Sequence, residues 1–147
     1  MSTTVVCLVL MLAGLLSQQP SPSSAQSTAL NYDVFKTRIQ PIFLAKRPGH
    51  ARCVTCHSTG TPFRLQPLSP GSSTWNEEES RKNFEAVGRV AVRGNPKSRI
   101  LVHPLAEKAG GDLFHNGGKH WKTQDDPEWQ TLKTWVLGEQ QRGGERR

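Results

Sequence analysis

Cys53-Val54-Thr55-Cys56-His57 is the stretch on which the reading of this chain turns. Two thiols three positions apart, followed at once by a histidine, form the attachment pattern for c-type haem. The chemistry dictates the spacing. Each thiol adds across one vinyl group of a single porphyrin, and two intervening residues let one helical turn present both sulfurs to one porphyrin edge. The imidazole of His57 is then aimed at the iron as its proximal ligand. Two other chemistries use such a pair. A redox dithiol wants a βαβ setting, and no strand signal is convincing here. A zinc site wants a second cysteine pair, and histidines would have to replace it.

The flanks of the motif suit the haem reading. Upstream, the apolar run Val5 to Leu16 leads through a Pro/Ser-rich stretch to Ser23-Ser24-Ala25, so residues 1–25 read as a secretory signal cleaved after Ala25. No Lys or Arg precedes the run, and the alternative is an uncleaved anchor, for which the run is short. Cys7 falls inside this leader, so after cleavage only Cys53 and Cys56 remain, too close together to staple distant segments. A small exported domain limited in core needs another source of cohesion, and a buried haem supplies it. The expected place is the periplasm or another exported compartment.

Further outward, the pattern is helical. Residues 26–30 read as linker. Asn31 caps a first helix carrying Val34, Phe35, Ile39, Ile42 and Phe43, which Pro41 should kink or end. Residues 45–60 are basic and Gly/Pro-punctuated, and 61–73 read as loop. A second helix is expected from about Trp75 to Val92, with Thr74 and Glu77 as its capping box. Residues 93–99 form a turn and 101–124 an irregular region with two Gly pairs. The last helix is capped by Asp126, opened by Pro127 and stopped by Gly138, with Trp129, Leu132, Trp135 and Val136 as its apolar stripe. Residues 140–147 read as a polar tail. The expected class is all-α: three main helices with long loops around one haem.

In this order the segments resemble the small single-haem, class I-like bacterial cytochrome c domains of the planctomycete type. The residues that carry the resemblance are Ile39-Gln40-Pro41-Ile42-Phe43, then Cys53–His57, then Gly94-Asn95-Pro96-Lys97-Ser98-Arg99-Ile100-Leu101, then Leu132–Gly138. It spans residues 31–139. The resemblance implies a cytochrome c-like fold in which the first and last helices cross beside the haem, with Trp135 near the crossing. It also implies single-electron transfer with one covalently bound haem c.

One departure is informative. Members of that group carry a distal methionine, and the only methionines here, Met1 and Met11, lie in the leader. The sixth ligand must be something else, or the site is open. His115, in Gly110-Gly111-Asp112-Leu113-Phe114-His115-Asn116-Gly117-Gly118, stands where the group has its methionine, and its glycines permit close approach of backbone to porphyrin. His103 and His120 are the alternatives. His50 precedes Cys53 by three residues, which makes the opposite haem face hard to reach. With two imidazoles the potential is expected to lie below that of a Met/His pair. Trp121 is the tryptophan expected to hydrogen-bond a propionate.

The formal charge of +7 lies wholly outside residues 1–25, with Lys46, Arg47 and Arg52 just before the motif. Such charge suits an acidic redox protein, or a peripheral contact with a membrane oxidoreductase. No nucleic-acid motif is present. The functional expectation is an electron carrier with no catalytic residues. The alternatives are a haem enzyme or ligand sensor with a displaceable sixth ligand, or the haem subunit of a larger exported oxidoreductase.

Overall fold

The computed structural model describes residues 29–139; the leader 1–25, most of the linker and the tail 140–147 lie outside them. Asn31 opens the first helix as expected, its Oδ1 accepting the Val34 N–H at 2.9 Å. The helical rod then runs through three segments: α1 (Tyr32–Val34), a π-helical stretch (Phe35–Ile39) and α2 (Gln40–Leu44). Pro41 does not end it. A proline ring presses on the carbonyl four residues back and offers no N–H. The wide π turn, closed by Gln40 N–H on Phe35 O, precedes Pro41, which then sits in the first turn of α2, where its missing donor is tolerated.

After α3 (Cys53–His57) and a loop, α4 spans Glu77–Gly88, shorter than the expected 75–92. Its capping box is Asn76 with Glu79, not Thr74 with Glu77: Asn76 Oδ1 accepts from Glu79 N–H, and Glu79 returns a carboxylate oxygen to Asn76 N–H. Asn is as good a cap as Thr, and it lies two residues closer to the apolar face. Glu77 is thereby turned outward, where it accepts from Tyr32 and Lys36 and ties α4 to the first rod.

The Gly94–Ser98 turn forms with Gly94 at φ +75° and Ser98 buried, its hydroxyl bonded to both main-chain atoms of Val92. Arg99 is not part of that turn; it opens α5 (Arg99–Val102). A single 3-10 turn at Glu107–Ala109 interrupts the otherwise irregular stretch to residue 124. The last helix, α6 (Pro127–Leu137), has Asp126 as its cap and Gly138 at φ +73° as its stop. Trp129, Leu132, Trp135 and Val136 are all buried.

Trp135 joins α6 to the start of the first rod. Its ring lies 5.9 Å from Phe35 and 6.4 Å from Phe84, and its indole N–H donates to Asn31 O at 2.9 Å. Trp129 donates to Leu101 O at 3.0 Å and draws α5 onto α6. The domain is all-α: among the described residues there is no strand, only a bridge between Leu105 and Trp121. No described helix is long and apolar enough to cross a membrane.

Candidate functional site: a histidine-lined cleft

Helix α3 has two sides. Val54 is buried in the core. Cys53, Cys56 and His57, spaced three and four residues apart and therefore on one face, line a cleft of about 570 Å³. That volume is in the range of small-molecule and cofactor sites. Both thiols are free. Burial pushes the Cys53 thiol up, an effect that nearby Arg47 opposes. Arg47 itself is nearly buried. Its guanidinium pairs with Glu128 at 2.5 Å, donates to Ile42 O and comes within 3.9 Å of Cys53 Sγ. It thus pins the approach to the motif against the first turn of α6.

The second wall of the cleft comes from residues 99–121 and holds His103, His115 and His120. His57 and His115 face each other with ring centres 6.3 Å apart and planes 18° from parallel. Each has its Nδ1 on a main-chain carbonyl: His57 on Phe63 at 2.8 Å, His115 on Gly118 at 2.5 Å. An imidazole N–H donates in each case, which fixes the tautomer and leaves Nε2 as a lone-pair donor. Burial lowers both pKa values despite these bonds, and so favours the neutral, metal-ligating form.

The donor set suits a haem: His57 and His115, each with Nδ1 tied to a carbonyl, would be the residues to hold its iron, and Cys53 and Cys56 the free thiols to attach it. Among the described residues no group of three or more His, Cys, Asp or Glu is placed to hold a metal ion by itself.

The other candidates are placed differently. His103 lies edge-on to His115 at 4.9 Å, but its Nδ1 is held at 2.8 Å by the Asp112 carboxylate. His120 lies 5.7 Å from His115; its Nδ1 is buried without a partner, and burial, with Arg47 next in weight, lowers its pKa to about 4. Trp121 lines the cleft, yet its indole N–H points at Glu128 at 3.4 Å rather than into free space.

Sequence reasoning missed two participants. His50 does reach the second wall, its ring 4.7 Å from that of His120. The signal was present: Pro48-Gly49, with Gly49 at φ +75° and His50 N–H on Arg47 O, folds the approach back on itself. The Arg47–Glu128 pair, 81 residues apart, has no local signature. Gly118 has φ +78°, and a Cβ on Gly117 would sit 3.3 Å from the His115 ring. Searches of family models, curated proteins and solved structures give no match to this chain.

Proposed function

We propose that this protein is an exported monohaem c-type cytochrome that carries single electrons, with one haem c bound through Cys53 and Cys56 and its iron held between His57 and His115. The observation that carries the reading is the facing pair of rings at 6.3 Å, each with Nδ1 tied to a carbonyl. The haem supplies reversible one-electron exchange. The chain supplies the rest: two thiols on one helical face, two imidazoles oriented before anything binds, and a largely apolar cleft. Partners are redox proteins, for which the charge of +7 favours acidic surfaces or a peripheral contact with a membrane oxidoreductase.

The test is to express the full chain in a host with a haem-attachment system and to record oxidised and reduced spectra of wild type and His115→Ala. A six-coordinate low-spin wild type that becomes high-spin and binds carbon monoxide in the variant supports the assignment. A redox titration should place the potential below the usual Met/His range. A wild type already high-spin overturns the bis-histidine reading. It would favour a haem enzyme or ligand sensor, a reading to which the His103–Asp112 pair beside the sixth position lends the one specific support.

A further inference from the structure

We propose that His50 and His120 form a carboxylate clamp that holds a propionate of the bound porphyrin; the proposal rests on the haem reading above. The five histidines divide into two groups. His57, His103 and His115 each have Nδ1 fixed by a carbonyl or carboxylate. His50 and His120 have no hydrogen bond from either ring to any described residue, and they face one another at 4.7 Å with planes 37° apart. His120 Nδ1 is buried, and a buried polar atom without a partner costs stability unless something occupies the site.

The surroundings select the charge of that occupant. Arg47 is the charged group that acts most strongly on His120, and Lys46 donates to the main-chain carbonyl of His50 at 2.6 Å. Arg52 lines the same cleft. The carboxylate of Glu128 is already engaged by Arg47 and Trp121. A cation would meet uncompensated positive charge here, whereas an anion is favoured. Two imidazoles offering one N–H each match the oxygens of one carboxylate, and a neutral ring suffices for each bond. His120 lies 5.7 Å from the proposed sixth ligand, so the clamp adjoins the place where the porphyrin would lie. Gly118 backs it: a Cβ there would meet the His50 ring at 3.5 Å, and φ of +78° keeps the loop in that shape. The indole of Trp121, turned to Glu128, leaves this role to the histidines.

The test compares two ligands on the full chain purified without haem: zinc protoporphyrin IX and its dimethyl ester, titrated by fluorescence. Wild type should bind the free acid about tenfold or more tightly than the ester, as expected for a charge-assisted pair. In His50→Phe/His120→Phe that ratio should collapse towards one, while His50→Gln/His120→Gln, which keeps an N–H on each side chain, should restore part of it. Because the ratio is taken within each protein, a general loss of affinity in one variant does not affect it. Equal ratios in wild type and the Phe variant would overturn the clamp. Failure of wild type to bind either porphyrin would instead overturn the haem reading. The pair could alternatively serve a free carboxylate. In that case acetate alone would shift the His50 and His120 imidazole NMR signals of the porphyrin-free protein, the free-acid preference would be missing, and the assignment to a propionate would fall.

Discussion

The two walls of the cleft hold their histidines by the same device and back it in different ways. On the motif side, His57 Nδ1 is held by the carbonyl of Phe63, and the Phe63 ring packs against His57 at 4.6 Å and against Phe43 at 6.0 Å. Phe43 is buried in the core with Phe35, and Phe35 touches Trp135. The support of His57 therefore runs into the packed centre of the domain. On the other side, His115 Nδ1 is held by Gly118, three residues away in its own loop. Its neighbours Leu113 and Phe114 are 80% and 67% exposed. That loop is anchored through its base by main-chain bonds: Asp112 N–H to Val102 O, Gly111 N–H to Ala106 O and His120 N–H to Pro104 O. Lys119 also reaches the carbonyls of His103 and Asp112. One histidine is positioned by the hydrophobic core, the other by hydrogen-bonded turns. Of the two, His115 is the more easily displaced.

The largest expected effect breaks the comparison at its core end. Phe43→Ala should destabilise the domain by about 3–5 kcal/mol, since a buried aromatic ring is lost and its neighbours relax only partly. Chemical denaturation measures this directly. A loss below about 1 kcal/mol would show that the motif wall does not lean on the core, and that the contrast drawn above is wrong.

A smaller effect is expected at the base of the distal loop. A Cβ on Gly111 would collide with the Leu105 carbonyl and approach Val102 O within 2.9 Å. Both obstacles are main chain and cannot swing aside. Gly111→Ala should therefore cost about 1–3 kcal/mol and shift the loop that carries His115. In the haem-loaded protein the same variant should gain a high-spin fraction while Phe43-dependent packing is unchanged. Full low-spin character with wild-type stability would mean that the loop adjusts freely and that His115 is not set by its base.

The difference between the walls also explains what could be read in advance. The elements that present a local signature were legible: the helical turn that puts Cys53, Cys56 and His57 on one face, Asn31 and Asp126 as caps, Gly138 as a stop, and the α6 stripe that ends in the core. Local rules failed where two similar signals competed. Thr74/Glu77 and Asn76/Glu79 both spell a capping box, and burial of Ser80, Asn83 and Val87 on α4 favours the second. Pro41 predicts a kink or an end to the helix; the rod is distorted into a π turn there and does not end, and that turn has no composition of its own. The choice of His115 rested on order along the chain, but its meeting with His57 is a tertiary event between residues 58 positions apart. The His50–His120 contact and the Arg47–Glu128 pair are tertiary too, and periodicity carries no trace of them.

The smallest effect sharpens the comparison through pH. In the haem-free protein, burial lowers the pKa of His57, of His115 and most clearly of His120, which falls to about 4. An unfolded histidine titrates near about 6.5. Between these values the unfolded chain binds more protons than the folded one. The stabilisation from keeping these rings neutral is therefore fully present above about pH 6.5 and is lost as pH falls towards the folded values. Hydrogen bonds from Lys36 and Lys82 hold the exposed Glu77 and Glu78 below the ordinary carboxylate value, so the upper part of the window isolates the histidines. The rings are only partly buried, so the slope should be shallow. His120→Gln should flatten it more than His57→Gln, because the His120 ring carries the larger displacement. The check is a series of denaturation midpoints between pH 7 and 5 for the three haem-free proteins. A profile flattened chiefly by His57→Gln would place the acid sensitivity on the core-backed wall and reverse the contrast between the two.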